Sequence, residues 1–437
     1  MRRERGAPSL PLALLAIAVA GSWQAASAET LEDAWQLALA RDKALAAAGA
    51  DVEGARAAEQ AARGARWPSL DATAGYTRLD ESPALDVATP GGTFRSGPIF
   101  KDDQFVSGSV QLKVPLYTGG QLSAGIDAAH HAVIGAVEDE QSATAALKLD
   151  VAEAYVGVLR ARRALEAASS SVESLTAHAN DVQHMVERDL VPKADMLAAR
   201  VASANAEQAR VRAANSVEIA QAAYNRRLGE PLGRSAELDR RISADASLTA
   251  SAVDALIQRA LGSRSELKAL EARADSLVSQ SHGESAKALP QVALTGGYSH
   301  LDNQILDRQD VAMVGVGFTW NLFDGGQARH RAAALRSASR AAQNRLDDLR
   351  SSIELQVRQA WLDVHEAQAR LRASGEAVAQ AEENLRSSRE LYGAGLATNT
   401  QVLDAVTLRI SAINNRDNAA LDESLSLLRL SYAVGAL

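Results

Sequence analysis

The sequence predicts a mainly helical, internally duplicated chain with a small β part, whose few strands complete a barrel only together with further copies. Three observations carry this prediction: an export signal, the same landmarks in both halves, and long heptad runs separated by short period-two segments. The 437 residues include no cysteine and only 4% aromatics. This composition favours closely packed long helices and excludes disulfides and thiolate metal sites. The formal charge of -8 argues against a nucleic acid partner, because phosphate binding needs a basic face.

Residues 1–28 have the three-part pattern of a secretory signal peptide. Three arginines within the first five residues precede an apolar run over 10–20, and Ala26-Ser27-Ala28 offers small residues at a cleavage site. The apolar run is too short to cross a bilayer. The exported product is therefore expected either in the periplasm or as an outer-membrane β-barrel.

The rest of the chain repeats one plan. The segment 67–76 matches 289–298 at a separation of 222 residues, and 116–120 matches 322–326 at a separation of 206. The difference places a longer loop in the first half, between Tyr76 and Leu116. We predict a first structural repeat over 29–230, an inter-repeat linker over 231–252 and a second repeat over 253–437.

Heptad spacing predicts two very long helices, over 121–190 and 327–393, with seams that begin at Leu147 and Ile353. At 1.5 Å per residue each would be roughly 100 Å long. Helices of about half that length are expected over 31–66, 195–228, 253–288 and 399–434. Two of these stacked end to end match one long helix, which predicts a coiled-coil barrel.

Four short segments alternate apolar and polar residues with the period of a β-strand and form two predicted hairpins. Their length suits tilted membrane strands whose apolar positions face lipid. Those lipid-facing positions are Val106, Val110, Leu112, Val114, Val314, Val316, Phe318 and Trp320. Open sheet edges are not tolerated in hydrocarbon, and four strands are too few to close. Dimers would give eight strands and trimers twelve. The alternative is a pair of exposed hairpins on a soluble protein.

With these features the chain resembles the TolC family of outer-membrane efflux proteins. The resemblance covers nearly all of the mature chain, including the Gly119-Gly120 and Gly325-Gly326 turns between strand and helix. It implies a homotrimer whose twelve-stranded barrel in the outer membrane continues as a helical barrel across the periplasm. It further implies docking to a periplasmic adaptor protein and an inner-membrane pump, and passive outward transport without catalysis or cofactor.

The resemblance also assigns roles to the two turns between long and returning helices. At the second turn Tyr392, Gln401 and Asp404 fall at positions that hold the family's periplasmic entrance closed, although Ala397 stands where the best-known member has an arginine. Three Asp404 carboxylates brought together would repel one another and favour cations. The alternative for Asp404 is a solvated surface carboxylate.

Both turns are expected to dock the adaptor through apolar residues at their ends. The expected docking residues are Leu190, Val191, Gly395 and Leu396. Asp189 departs from the glycine that the family usually has before the leucine, and Asp195 is expected to cap the returning helix. The alternative is that the leucines only close the two helix-turn-helix units.

Motifs for chemistry are absent from the sequence. His365-Glu366 begins a zinc-protease motif, but Ala369 occupies the second ligand position, and no phosphate loop or nucleophile elbow occurs. The export signal, the duplication, the strands and the heptads together make an outer-membrane export duct the leading hypothesis. Its rivals are a soluble periplasmic coiled-coil scaffold and a periplasmic enzyme.

Overall fold

A computed structural model describes residues 28–243 and 245–437, so the signal-peptide prediction lies, apart from Ala28, outside the described residues. The helices are α1 (Leu31–Arg41), α2 (Lys43–Gly64), α3 (Gln121–Val186), α4 (Lys193–Arg227), α5 (Val253–Ser263), α6 (Ser265–Ala286), α7 (Gln327–Gly393) and α8 (Asn399–Ala433). The strands are β1 (Ser69–Arg78), β2 (Ala84–Thr89), β3 (Gly92–Pro98), β4 (Gln104–Tyr117), β5 (Gln291–Leu301) and β6 (Asp310–Thr319).

The long helices α3 and α7 contain 66 and 67 residues, which corresponds to about 100 Å each. Their predicted heptad seams are buried or half-buried throughout, with Val151 and Val357 fully enclosed. The helices pack in the order α2–α3–α6–α7 near the sheet and α4–α3–α8–α7 at the far end. Within the described ranges, no helix combines the length and the apolar character needed to span a bilayer.

The half-length helices expected over 31–66 and 253–288 are each broken once, at positions 222 residues apart. Asp42 adopts an extended conformation between α1 and α2, and its carboxylate accepts a hydrogen bond from the Leu45 N–H at 2.8 Å. At the equivalent break the buried Arg264 guanidinium donates to Glu266 and to the Ala433 carbonyl oxygen at the end of α8. Both breaks are stabilised by polar side chains, so neither needs glycine or proline.

The four predicted strands form one antiparallel sheet in the order β1–β4–β5–β6. The β4–β5 pairing joins the two halves, and β1 and β6 remain as open edges. The loop that is longer in the first half carries a separate hairpin, β2–β3, which the period-two pattern did not predict.

The predicted strand position of Trp320 is wrong, because β6 ends at Thr319. The ladder between β5 and β6 ends with the pair Gln291 and Thr319, so the next partner of Trp320 would be Pro290, which has no N–H to donate. The Trp320 indole instead donates to the Ala288 carbonyl oxygen at 3.1 Å.

The segment between the halves is anchored against the middle of α3. The hydroxyl of the buried Tyr155 lies 2.8 Å from the carbonyl oxygens of both Glu29 and Asp239, which share its single hydrogen. Burial, followed by the nearby carboxylate charges, raises the pKa of Tyr155 well above its usual range. Glu29, just before α1, and the segment after α4 therefore meet on α3.

Candidate functional site: the helical tips and the apolar sheet face

The chain reverses at both helical tips through a residue in the left-handed region. Asp189 has φ +53° after α3, and Gly395 has φ +74° after α7. The following leucine N–H then bonds back to the helix in both cases, Leu190 to the Met185 carbonyl at 2.9 Å and Leu396 to the Leu391 carbonyl at 2.8 Å. Aspartate tolerates this conformation better than most residues, so the departure at Asp189 leaves the turn geometry intact.

The predicted docking residues surround these turns. Leu190 is 64% exposed and Leu396 is 77% exposed, whereas Val191 is half-buried. Gly395 is exposed because it forms the turn itself. A leucine is thus presented to solvent at the extreme end of each helical pair, and docking of a partner there stays a prediction.

The predicted gate residues lie in different surroundings. Tyr392 is buried, and its hydroxyl donates to Asp195 Oδ2 at 3.2 Å, which ties α7 to α4. Burial and then the Asp195 charge raise the pKa of Tyr392 to about 12. Asp404 is exposed. Gln401 completes a capping box, since its Oε1 accepts from the Thr398 N–H at 2.7 Å.

Asp195 does not cap α4 as predicted, since the N-cap position is Pro192. The Asp195 carboxylate is engaged by Tyr392, and its carbonyl oxygen accepts from Asn399 Nδ2 at 3.1 Å. Asp195 therefore joins the first tip to the second.

A buried polar link that the sequence pattern did not predict lies beside this contact. The Nε2 atom of His178 on α3 lies 2.7 Å from the Oδ1 atom of Asn399 at the start of α8, and both side chains are buried. The His178 ring packs edge-on against the Tyr392 ring, with centroids 5.6 Å apart. Histidine and asparagine count as polar in a periodicity analysis; only the position of His178 next to the seam residue Ala179 could have drawn attention to it.

The remaining predicted site residues share one face of the sheet. Directly paired residues point to the same side of a sheet, and the register pairs Val110 with Ala72 and Tyr298, and Val316 with Leu294. The same face carries Val106, Leu112, Val114, Val314 and Phe318. Val314 is 83% exposed. The opposite face carries Asp71, Thr73, Ser109, Gln111 and Lys113.

No group of side chains suited to a metal ion occurs in residues 28–243 and 245–437. The candidate functional features are a long helical stem, polar links between its tips, and a sheet with one apolar exposed face.

Comparison with known proteins agrees with this architecture. The family model described as outer membrane efflux protein matches residues 34–230 and 256–436. The chain is 26% identical to the outer membrane protein TolC of Vibrio cholerae over 421 residues, covering 94% of this chain and 91% of that protein. It is also 26% identical over 416 residues to the alkaline protease secretion protein AprF of Pseudomonas aeruginosa, covering 93% and 84% respectively.

Solved structures share the fold. The outer membrane protein VceC of Vibrio cholerae superimposes with a TM-score of 0.77 at 18% identity, covering 93% of this chain and 96% of VceC. The outer-membrane channel OprN superimposes with a TM-score of 0.78 at 17% identity, covering 93% and 90%.

Proposed function

The chain belongs to the outer membrane efflux protein family, and from this premise we propose that three copies form one continuous exit duct. The protein lies in the outer membrane of a Gram-negative bacterium, with a large periplasmic helical part. As the outer-membrane channel of an efflux or type I secretion system, it lets cargo pass outward without chemistry of its own.

The observation that carries this proposal is a sheet with two open edges and one apolar exposed face. A helix of about 100 Å follows β4, and another follows β6. In hydrocarbon each open edge would leave a row of backbone donors and acceptors unpaired, so other copies must supply the missing strands. Two copies would give about eight strands, and the interior of such a barrel is filled by side chains. Three copies would give about twelve strands and leave a lumen.

The apolar face is assigned to lipid and the opposite face to the lumen. Val106, Val110, Leu112, Val114, Val314, Val316 and Phe318 would then meet acyl chains, while Gln111 and Lys113 would meet water. Trp320 lies just past the end of β6, at the level where aromatic side chains commonly flank the apolar band.

The exposed leucines at the tips are assigned to partner proteins. A periplasmic adaptor would contact Leu190, Val191, Gly395 and Leu396, and the adaptor would connect the duct to an inner-membrane pump. The support is local: Leu190 and Leu396 are exposed apolar side chains at the two chain reversals, at the far end of the stem.

The entrance is assigned to the same end of the molecule. Tyr392 and Asp195 hold the two hairpins of one copy together, and exposed Asp404 carboxylates would form a ring at the constriction. Gln401 contributes by capping α8, which positions Asp404 one turn later. Asp404→Asn in planar bilayers should lower cation preference and block by divalent ions, and unchanged selectivity would place Asp404 on the outer surface instead.

Fractionation and conductance test the function as a whole. The mature protein should sediment with the outer membrane, run as a heat-sensitive oligomer in detergent and conduct ions in planar bilayers. A monomer recovered from the soluble periplasmic fraction would instead support the coiled-coil scaffold.

A further inference from the structure

The two halves contact each other through α3 and α6. The repeat gives both contact surfaces a counterpart on the outer sides of the chain, on α7 and α2. In the order α2–α3–α6–α7, the contact of α3 with α6 lies between the halves, while one side of α2 and one side of α7 have no helical neighbour in the described part of the chain. By the internal repeat, α7 corresponds to α3 at a separation of 206 residues, and α2 corresponds to α6 at a separation of 222. The contact between α3 and α6 is therefore a template for a contact between α7 of one copy and α2 of the next.

The template contact contains an ion pair and a polar pair at defined heights. Asp139 on α3 accepts from Arg273 Nη2 on α6 at 2.5 Å. Two residues further along α3, the Gln141 side-chain oxygen accepts from Ser265 Oγ at 3.2 Å. These contacts mark the relative height of the two helices.

Each residue of the two pairs has a counterpart in the other half, 206 residues later for α3 and 222 residues earlier for α6. These counterparts carry complementary charges on the outer surfaces. Asp139 becomes Arg345 and Arg273 becomes Asp51, so the ion pair recurs with its charges exchanged. Gln141 becomes Asp347 and Ser265 becomes Lys43, so the polar pair becomes a second ion pair. All four side chains are exposed, and among the described residues Arg345, Asp51 and Lys43 form no ion pair within their own chain.

Small residues allow the same close approach at both contacts. A Cβ on Gly135 of α3 would lie 3.6 Å from the Ala269 carbonyl oxygen and 3.8 Å from the Ala272 Cβ on α6. The corresponding residues on the outer surfaces are Ala341 on α7, and Ala47 and Ala50 on α2. Alanine at these three positions allows the outer surfaces to approach closely beside Asp51, as the inner surfaces do beside Arg273.

We propose that neighbouring copies of this chain dock α7 against α2, aligned by Arg345 with Asp51 and by Asp347 with Lys43 of the neighbouring copy. This inference rests on the proposed function and specifies the surface and the register through which the copies meet. The same translation sets the strand pairing across the interface: Val316 of β6 lies opposite Tyr76 of β1, as Val110 lies opposite Tyr298 inside the chain.

The exchanged charges also give selectivity. A long helix that approached the wrong groove would place Arg345 against Arg273, or Asp139 against Asp51, and like charges would oppose each other. Each α7 is thus directed to α2 of a neighbouring copy, and each α3 is directed to α6 of its own chain.

Cross-linking tests the register directly, because the chain has no native cysteine. The full-length protein carrying Asp51→Cys and Arg345→Cys is treated in outer-membrane vesicles with a short bis-maleimide. We expect covalent products of two and three copies. The matched control, Asp139→Cys with Arg273→Cys, should react within one chain and stay at the mass of one copy. An off-register control, Asp51→Cys with Arg329→Cys, moves one cysteine along α7 by about 24 Å and should not cross-link.

Charge reversal supplies a second readout on the same protein. Asp51→Arg alone and Arg345→Asp alone should each lower the oligomer fraction in detergent about threefold, and the combined reversal should restore it to within about twofold. A stable oligomer in which the 51/345 pair does not cross-link while the 139/273 pair does would overturn the inference and leave the proposed function standing. A protein that never forms an oligomer in the membrane would overturn both.

Discussion

The first twenty residues of α3 and those of α7 occupy equivalent places below the sheet but carry opposite charge. Residues 121–140 contain four carboxylates and no lysine or arginine, whereas 327–346 contain five arginines and no carboxylate. Further along, the seams of the two helices are alike: Val151 and Val357 are both fully buried at equivalent positions. Burial preserves the duplicated packing plan because any polar change there is costly, while the exposed surfaces are free to diverge and to distinguish one groove from another.

The largest expected effect breaks the buried similarity. Val151→Asp and Val357→Asp each place an unpaired carboxylate in a closed seam, which should cost on the order of 4 kcal/mol and abolish most assembled protein. The thermal loss of helical circular dichroism and the oligomer yield measure this. Gln356→Asp, at an exposed neighbouring position, is the matched control and should behave as the parent. Tolerance of the change in one half only would refute the shared plan.

A smaller effect concerns the tips, where the halves differ. His178→Ala removes the contact with Asn399 and the ring packing on Tyr392, and should destabilise the tip by about 2 kcal/mol. Hydrogen exchange of the backbone amides in 175–200 and 390–405 should accelerate accordingly. The equivalent α7 residue, Asn384, is exposed, so Asn384→Ala should leave exchange unchanged. Equal acceleration in both variants would remove His178 from the link.

The Tyr392 hydroxyl predicts a pH dependence confined to alkaline solution. Its pKa is raised from 10.0 to about 12 in the folded protein, so the folded state favours the neutral phenol. The contribution of Tyr392 to stability is therefore complete below pH 10 and is lost as the pH rises through 12. Thermal midpoints measured over this interval should fall less steeply in Tyr392→Phe than in the parent. If the thermal midpoints of the variant and the parent fell equally with pH, the pKa of Tyr392 would be the same in the folded and unfolded protein.

The smallest effect distinguishes the two left-handed turn residues. Gly395→Ala puts a Cβ at φ +74° and should cost about 1 kcal/mol. Asp189→Gly relieves a non-glycine residue at φ +53°, but it also frees the unfolded chain, so its net effect should lie within about 0.5 kcal/mol of zero. Thermal midpoints of the two variants check the asymmetry, and a larger loss at Asp189 than at Gly395 would contradict it.

Much of the fold follows from sequence periodicity, because buried seams and alternating strands leave repeated marks. The bounds predicted for the second long helix coincide with Gln327–Gly393. The breaks at Asp42 and Arg264 were not predicted because their stabilising partners are local polar groups, and for Arg264 the end of α8. β6 ends before Trp320 because the next partner, just before β5, would be Pro290. The sequence alone does not give the strand register, so this end could not be predicted.

The candidate site was less accessible to sequence reasoning. The exposed leucines of the turns followed from family resemblance and lie at the chain reversals as expected. The link between His178 and Asn399 joins residues 221 positions apart, so no local pattern marks it. Gln401 was considered only as a gate residue, although its place three residues after Thr398 marks a capping box.

The surroundings of the two sheet faces test most directly whether the sheet is a segment of a membrane barrel shared between copies. Single cysteines at Val110 and Val316, and at Ser109 and Gly315, can carry nitroxide labels in the reconstituted protein. Labels at Val110 and Val316 should be relaxed by oxygen dissolved in lipid, and labels at Ser109 and Gly315 by a water-soluble nickel complex. Access of the nickel complex to all four positions would contradict a barrel in the membrane.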